Sequence, residues 1–449
     1  MEWREHRGHV LIISHDVIGR QMAGPGIRYF HLARILSQEF EVALMIPGES
    51  VPESSSSFTI LAYALERDER LEHMILDGHV VVVPAVLVAS LPVLQRAEVP
   101  IVVDGYDPYI PETLHLGRAI TELERRLVQA YLVGDFFLCA SDRQRDWWLG
   151  LLEASGRINP YTFGEDPSLR RLVDVVPFGL PSTPPQHTRQ VVKGVWPGIR
   201  EEDRVILWGG GLWPWLDPLT AIRAVGRVYR ERRDVRLIFP GTRHPNAWLK
   251  GIPTHNEPAR RLAQELDLLG KAVFFGDWIP YTDWPAALLE SDVALTLHYD
   301  SLETRLAFRS RVLDYIWAGL PVVATCGDAT SDLIEKYQLG VVVDYEDEVS
   351  VAEAILKLLD SPRQGWEERF EQARQDLTWE KAVRPLVEFC RHPRRAPDKE
   401  ALGERLGNPY YVDQIARLQT LVEGYERGRF IRLMRWLHRV GQTLWKEGG

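Results

Sequence analysis

The sequence predicts two α/β domains in tandem, each built on a parallel β-sheet with helices on both faces. Short β-branched runs alternate with helical patterns along residues 9–345, which is typical of parallel sheets flanked by helices. A proline-rich polar stretch, residues 181–190, interrupts the series once. A chain of 449 residues is long enough for two or three separate cores. We therefore expect two doubly wound domains that face each other across a cleft.

The first predicted domain covers residues 1–182. Its expected strands are apolar runs that read as buried on both faces: HVLIIS, EVALMIP, HVVVVPAV, PIVVDGY, DFFLCAS and VDVVPFGLP. Helical patterns lie between them, at residues 27–38 and 112–133. The stretch MAGPGIRYFHLARIL follows the first strand, and its two glycines bracket a proline directly before a helical pattern. This stretch could be a plain turn, or a helix N-terminus that faces an anion.

The second predicted domain covers residues 183–377. Its expected strands are RVILWGGG, VRLIFPG, AVFFGDW, DVALTLHY, LPVVATC and LGVVVDY. The helical patterns of this domain are at residues 217–232, 256–269, 283–291 and 307–318. A late helix at 378–392 and a helical tail at 393–449 complete the predicted architecture.

The composition of the chain argues against several classes of protein. The net charge of −10 and the pI near 5.8 argue against a nucleic-acid-binding protein. The three cysteines, Cys139, Cys326 and Cys390, have no metal-type spacing and indicate a reducing compartment. No apolar run is long enough to span a membrane, so we expect a cytoplasmic protein.

The C-terminal tail suggests an alternative to a protein that is free in the cytoplasm. Residues 425–446 place Phe430, Leu433, Leu437 and other apolar residues on one helical stripe, with arginines on the other faces. Such a basic amphipathic helix predicts either contact with an anionic membrane surface at its inner face or packing against protein. In the second case the partner is the body of the chain or another subunit of a homo-oligomer.

Over residues 9–392 the sequence resembles the retaining, nucleotide-sugar-dependent glycosyltransferases of the GT-B fold, family 4, also called group 1. The motifs that carry this resemblance are MAGPGIR, VVPFGLP, FFGDWIPYTDWPAALLESDVAL and RVLDYIWAGLPVVATCGD. The last is the most specific, because an acidic residue stands four positions before its AGLPVV. The resemblance implies two Rossmann-like domains, with a nucleoside-diphosphate sugar bound by the second, and a helix at 378–392 that crosses back to the first.

The resemblance also implies roles for individual residues. Asp314 would hold the ribose hydroxyls of the donor, and Gly24 and Gly26 would lie against its diphosphate. The backbone near Ile279 would border the base. If so, Gly26→Val should weaken donor binding without unfolding the protein.

Two departures from the family pattern concern the sugar and the diphosphate. The first of two family glutamates aligns with Leu306, so Glu303 is the nearest substitute. A family Arg and Lys align with Gly211 and Leu216, so both positive charges are absent. The substitutes for these charges are a backbone anion nest at Gly209, Gly210 and Gly211 and the side chains of Arg305, Arg309 and Arg311. Arg309 and Arg311 cannot face the same way on one helix, so we expect one of them to contact the donor.

In this family the acceptor hydroxyl attacks on the face that the nucleotide leaves, and a diphosphate oxygen helps to take its proton. No metal or other cofactor is implied. Asp104 and Asp107 stand where relatives place a polar side chain near the sugar, so we predict that they and Arg309 act in catalysis, although a strand-end acid is also a common helix cap. His15 and Asp16 are further candidates on the acceptor side.

The sequence thus predicts a metal-independent hexosyltransferase that acts on a polysaccharide, glycolipid or natural-product hydroxyl. Two alternatives remain: a sugar-nucleotide epimerase of the same fold, and a catalytically inactive protein that binds a nucleotide sugar or a partner. Loss of the usual Arg and Lys keeps the inactive alternative open.

Overall fold

The computed structural model describes residues 8–48, 57–64, 68–242, 251–361, 365–403, 406–407 and 409–427. Within these residues the first sheet has seven parallel strands in the order β3-β2-β1-β4-β5-β6-β7. They are β1 (His9–Ile13), β2 (Glu41–Pro47), β3 (Thr59–Tyr63), β4 (Val80–Pro84), β5 (Ile101–Asp104), β6 (Phe136–Cys139) and β7 (Val173–Val175). Strands β1, β4, β5 and β6 are buried along their whole length, which explains their continuous apolar sequences.

Helices cover both faces of this sheet. They are α1 (Gly24–Leu36), α2 (Glu69–Leu76), α3 (Val93–Arg96), α4 (Tyr109–His115), α5 (Thr121–Val133), α6 (Asp142–Ala154) and α7 (Pro160–Glu165), with a 3₁₀ helix at Ala85–Ser90. Two sequence expectations were wrong. The helix expected at 112–133 is split into α4 and α5, because Gly117 takes a left-handed φ of 65°. Strand β3 went unpredicted although residues 60–65 are apolar; it is a partly buried strand at the edge of the sheet.

Six strands of the described residues form the second parallel sheet, in the order β10-β9-β8-β11-β12-β13. They are β8 (Arg204–Trp208), β9 (Val235–Pro240), β10 (Val273–Gly276), β11 (Val293–Thr296), β12 (Val322–Thr325) and β13 (Gly340–Val343). The helices around them are α8 (Pro218–Glu231), α9 (Asn256–Glu265), α10 (Trp284–Leu289), α11 (Leu302–Leu306), α12 (Arg311–Ala318), α13 (Ala329–Tyr337), α14 (Glu348–Asp360) and α15 (Glu367–Asp376). The predicted fold class, two tandem parallel-sheet α/β domains, is confirmed.

The strand order identifies where a ligand would bind in each sheet. The order reverses between β1 and β4 in the first sheet and between β8 and β11 in the second. Ligands of doubly wound sheets bind beyond the carboxyl ends of the strands at such a reversal. The loops that follow these four strands are therefore the first place to look for a site.

After the second sheet the chain returns to the first. Thr378 forms a parallel bridge with Leu180, and α16 (Trp379–Ala382) and α17 (Arg384–Arg391) follow. Trp379 stacks on His31 of α1 with ring centroids 4.8 Å apart, and Phe389 stacks on Phe136 of β6 at 4.9 Å. These aromatic contacts hold the crossing helices on the first sheet's helical layer. The exact domain boundaries stay predictions.

The segment after the crossing is more ordered than its polar sequence suggests. It contains α18 (Pro397–Leu402), whose Asp398 is fully buried and accepts two hydrogen bonds from Arg157, at 2.6 and 3.1 Å. The last described helix, α19 (Pro409–Arg427), exposes more than half of its Tyr411, Ile415 and Leu418 side chains. Most of the tail predicted at 425–446 lies outside the described residues, so its membrane or oligomer contact stays a prediction. No described helix is long and apolar enough to cross a membrane.

Candidate active site

A cleft of about 770 Å³ lies between the two sheets, at the carboxyl ends of their strands. The cleft is lined by the loops that follow β1, β4, β5, β8 and β10, and by residues 303–314. The predicted residues that line it are His15, Asp16, Gly24, Asp107, Gly209, Gly210, Gly211, Ile279, Glu303, Arg309, Arg311 and Asp314. The structure thus gathers twelve predicted residues from several distant parts of the sequence.

Another groove, of about 990 Å³, is the poorer candidate. Its lining includes Arg204, which begins β8, and Asp292 and Pro321, which directly precede β11 and β12. It therefore lies at the amino ends of the strands, opposite the edge at which doubly wound sheets bind ligands.

The glycine turn at the start of α1 faces the cleft. Gly24 and Pro25 line it, and the preceding N-cap residue Ala23 provides no side-chain hydrogen bond to the helix. A Cβ at Gly24 would lie 3.6 Å from the Ser310 hydroxyl of the opposite domain. The first turn of a helix carries free N–H groups and a positive partial charge, so this end can receive an anion.

Gly26 does not line the cleft, which corrects its predicted contact with the donor. A Cβ at this position would lie 2.4 Å from the backbone oxygen of Val17. The missing side chain lets α1 pack against the loop that leaves β1. Gly26 is therefore needed for close backbone packing, and Gly26→Val should disturb the fold.

A second glycine turn follows β8 in the other domain. Gly209 donates its backbone N–H to the Tyr315 hydroxyl at 2.8 Å, and Gly210 takes a φ of 94° that favours glycine. Arg311 lies directly against this turn, because a Cβ at Gly210 would be 3.4 Å from its Nη2. Any side chain at residue 210 would enter the space of the guanidinium.

Arg311, like the exposed Arg118, is a cation of the cleft that has no acidic partner among the described residues. It forms no ion pair among the described residues, and its buried Nη1 has no hydrogen-bond partner there. Burial lowers the pKa of Arg311, an effect that the nearby Arg309 charge strengthens. An arginine still keeps its charge at neutral pH, so this guanidinium offers unsatisfied donors to a ligand.

Arg309 has a different position. Its Nη1 and Nη2 donate to the two oxygens of Glu303 at 2.7 and 2.6 Å, and its Nε lies 3.6 Å from Asp328. Burial alone would lower the pKa of Arg309, but the Glu303 and Asp328 charges outweigh burial and raise it. Glu303 is fully buried. Both residues border the cleft and are each other's ion-pair partners, and their direct contacts with the donor stay predictions.

Asp314 lies one helical turn after Arg311 on α12, and both line the cleft. Its Oδ2 accepts a hydrogen bond from Trp284 Nε1 at 2.9 Å. Burial raises the pKa of Asp314 to about 6, although the Trp284 hydrogen bond and the Arg311 charge oppose this shift. The other carboxylate oxygen is available for a ligand hydroxyl. Ile279 borders the same region and is 8% exposed.

On the first domain, Asp107 and Glu112 line the opposite wall of the cleft. Neither forms an ion pair with a described residue. Burial raises the pKa of Asp107 to about 7, and the charges of Asp104 and Glu303 add to this effect. Burial and the Asp107 charge raise the pKa of Glu112 well above its ordinary value. Sequence reasoning missed Glu112, because nothing in its helical context distinguishes it from a solvent-exposed glutamate.

Asp104 is not in the cleft, which corrects its predicted catalytic role. It is fully buried, and Arg28 donates to its two oxygens at 2.7 and 2.8 Å. The rings of Tyr106 and Phe178 lie about 5 Å from the guanidinium. The pair anchors α1 to the end of β5, below the floor of the cleft. His15 and Asp16 do line the cleft, and burial lowers the pKa of His15 to about 4.

Among the described residues no group of three or more His, Cys, Asp or Glu side chains is placed to hold a metal ion. The polar groups of the cleft include Arg311, Asp314 and the Gly210 turn on the second domain, and the Gly24 turn with the carboxyls of Asp107 and Glu112 on the first.

Comparison with known proteins agrees with this arrangement. Residues 203–361 match the family model described as glycosyl transferases group 1. The matched segment lies within the second predicted domain. No curated protein matches the sequence.

Solved structures of the same GT-B fold extend the likeness to the first domain. WaaG, a glycosyltransferase involved in lipopolysaccharide biosynthesis, is 14% identical with a TM-score of 0.59, over 85% of this chain and all of its own. HepE of Anabaena, solved with UDP and glucose, is 12% identical with a TM-score of 0.62, over 85% and 99%. Sucrose-phosphate synthase of Thermosynechococcus elongatus is 14% identical with a TM-score of 0.60, over 86% and 98%.

Gly211 and Leu216, which the resemblance aligns with the family Arg and Lys, carry no charged side chain. Gly211 lines the cleft, whereas Leu216 is fully buried and pairs with His298 in a short bridge. Trp213 and Trp215 of the same loop stack with ring centroids 5.6 Å apart. A guanidinium without an ion-pair partner in the described residues, that of Arg311 on α12, lies instead beside Gly210.

Proposed function

We propose that the protein transfers a glycosyl group from a nucleoside-diphosphate sugar to an acceptor hydroxyl, with retention of configuration and without a metal ion. The observation that carries this proposal is the juxtaposition of Arg311 and Asp314 on one face of α12. A free cation and a carboxylate one turn apart match the diphosphate and the ribose of a nucleotide sugar.

The diphosphate would lie between Arg311, the Gly210 turn and the start of α1 at Gly24. These groups come from both domains, since a Cβ at Gly24 would be 3.6 Å from Ser310. Their donors are fixed before the reaction, so they can stabilise the charge that develops on the leaving diphosphate. Among solved structures of this fold, HepE contains UDP and glucose, which supports UDP as the first nucleotide to test.

The reaction we propose breaks the bond between the sugar C1 and the diphosphate oxygen. The acceptor oxygen forms the new bond to C1 on the face that the diphosphate leaves, and the acceptor proton goes to a diphosphate oxygen. Asp107 borders the cleft across from Arg311, and Glu112 is its neighbour there. We assign them to the acceptor side, where a carboxyl can orient hydroxyl groups by hydrogen bonds. The chemical class of the acceptor stays open: polysaccharide, glycolipid or natural product.

The test is a panel of donors on the purified full-length protein. Release of free nucleoside diphosphate and thermal shifts are measured with UDP-, GDP-, dTDP- and ADP-sugars, with chelator present. Slow hydrolysis of one donor that is lost in Arg311→Ala and Asp314→Ala supports the proposal. Arg305→Ala is the matched control, because Arg305 is exposed on α11 and does not line the cleft.

Other outcomes contradict the proposal in different ways. A thermal shift without turnover, with or without a panel of sugar acceptors, indicates a protein that only binds nucleotide sugars. Conversion of the donor sugar to its epimer identifies an epimerase. Absence of any shift or turnover with all four nucleotides overturns the assignment of the cleft.

A further inference from the structure

Gln144 is a buried amide at the boundary between the two domains. It lies in the first turn of α6, and only 3% of its surface is exposed. Its Nε2 donates to the backbone oxygen of Tyr106 at 2.6 Å and to that of Leu306 at 2.7 Å. Its Oε1 accepts the backbone N–H of Ala140 at 2.6 Å. Both N–H bonds and the oxygen of the amide are therefore used, so its orientation is fixed.

The two carbonyls that Gln144 binds belong to opposite walls of the cleft. Tyr106 directly precedes Asp107 on the first domain. Leu306 ends α11, between Glu303 and Arg309, on the second domain. A single side chain thus fixes the backbone on both sides of the space in which donor and acceptor would meet.

Neighbouring side chains of α6 strengthen each half of this link. Trp148 Nε1 donates to the backbone oxygen of Gly105 at 2.9 Å, so two consecutive carbonyls before Asp107 are held by α6. Arg143 reaches the second domain, where its Nη1 donates to the Gly327 oxygen at 2.5 Å and its Nη2 to Asp332 at 2.6 Å. Among the side chains that the structure describes, however, only Gln144 forms hydrogen bonds to both walls.

We propose that Gln144 is a positioning residue that links the donor wall, residues 303–314, to the acceptor wall, residues 105–116. When a nucleotide orders the donor wall, the amide transmits that order to the loop that carries Asp107. This inference rests on the proposed function, because it assumes that a nucleoside diphosphate binds to the donor wall.

If the Gln144 amide only stabilised the fold, we would expect a different response of the acceptor wall to nucleotide. Loss of a buried hydrogen-bond donor lowers stability in either case. The two walls also pack directly against each other where α4 meets α11. A link through Gln144 therefore predicts a response of the acceptor wall to nucleotide that is lost when the amide is changed. The response of residues 105–116 to nucleotide is therefore the readout that separates the two roles.

The test is hydrogen–deuterium exchange on the full-length protein with and without UDP, repeated with GDP, dTDP or ADP if UDP gives no thermal shift. The variants are Gln144→Met, which keeps the side-chain length and removes the donors, and Gln144→Asn, which keeps the amide but shortens its reach. Gln95→Met is the matched control, since Gln95 is an exposed glutamine whose amide bonds to Gln129. Gln144→Asn serves alone if Gln144→Met fails to fold.

In the wild type and in Gln95→Met, we expect nucleotide to slow exchange at least twofold in both walls. In the Gln144 variants, we expect the donor wall to keep this protection and the acceptor wall to lose it. Equal protection of residues 105–116 in the Gln144 variants, or none there in a wild type that protects residues 303–314, overturns the link. No protection of either wall by any of the four nucleotides overturns the proposed function and this inference with it.

Discussion

The guanidinium of Arg309 binds the carboxylate of Glu303 through two parallel hydrogen bonds of 2.7 and 2.6 Å, and both side chains are buried. Because of this pairing, Arg309, just before α12, and Arg311, its first residue, have different partners. Arg309 is the counter-ion of Glu303. The buried Nη1 of Arg311 has no hydrogen-bond partner in the described residues. The two residues should therefore respond differently to mutation.

Arg311→Ala should weaken binding of a nucleoside diphosphate by about 10- to 100-fold, the range expected for losing a hydrogen bond to a charged group. The fold should tolerate this change, because Arg311 forms no ion pair within the described residues. Isothermal titration calorimetry measures the affinity, and thermal unfolding without ligand measures the stability. Equal affinity of Arg311→Ala and Arg305→Ala would exclude Arg311 as a diphosphate ligand.

Arg309→Met should instead destabilise the protein itself. It leaves Glu303 buried without its counter-ion, and breaking a buried pair in this way costs about 3–5 kcal/mol. The double variant Glu303→Leu/Arg309→Met should recover part of this loss, because no unpaired charge remains. Denaturant unfolding of the two single variants and the double variant gives the coupling energy. Additive effects in this cycle would show that the pair contributes no mutual stabilisation.

Much of this site could be predicted from the sequence, and the reasons for the failures are specific. Strand-end glycines and the acid before AGLPVV lie in the cleft because local sequence decides the turns and the helix face that carry them. Asp104 was misplaced because its partner Arg28 meets it only in the tertiary structure, and the pairing of Arg309 with Glu303 could not be predicted for the same reason. For Gly26 the deciding contact is the Val17 carbonyl, nine residues earlier in the chain, whose position depends on the loop between them. A strand-end acid has the same local sequence whether it faces a ligand or a buried arginine.

Gly26→Ala should lower stability rather than donor affinity. The added Cβ would lie 2.4 Å from the Val17 carbonyl, a contact that requires backbone movement. We expect a loss of about 1–3 kcal/mol in the free energy of unfolding, as for overpacked sites. Gly150→Ala is the control, because a Cβ there meets nothing within 4 Å. Denaturant unfolding measures both. A stable Gly26→Ala protein with reduced nucleotide affinity would restore the direct ligand role.

Asp107→Asn should change how stability depends on pH. The folded pKa of Asp107, about 7, lies above the ordinary aspartate value of about 3.9. The folded state therefore holds this proton more tightly than the unfolded state. The resulting stabilisation is fully present below pH ~4 and is lost as the pH rises through 7.

Asparagine does not titrate, so Asp107→Asn should gain stability relative to the wild type as the pH rises. We expect no relative gain near pH 4 and about 1–3 kcal/mol at pH 8, where the wild type holds a buried charge. Denaturant unfolding from pH 4 to 8 gives the difference, with the exposed Asp146→Asn as the surface control. A difference that stays constant between pH 4 and pH 8 would mean that Asp107 titrates normally.

Asp314 gives a test that separates the ribose from the phosphates. One of its oxygens accepts from Trp284, and the other can accept from a ribose hydroxyl. UDP should therefore bind the wild type about 10-fold more tightly than 2′-deoxy-UDP, as expected for a hydroxyl that bonds to a carboxylate. Asp314→Ala should bind both nucleotides equally weakly, whereas Arg311→Ala should weaken both and keep their ratio. Titration of the three proteins with the two nucleotides measures the ratio of their affinities. A preference for UDP that persists in Asp314→Ala would place the ribose elsewhere in the cleft.

Arg311 and Asp314 lie one turn apart on α12. If Asp314→Ala abolishes the preference for UDP and Arg311→Ala keeps it, Asp314 binds the ribose and Arg311 binds the phosphates of one nucleotide on a single helix face.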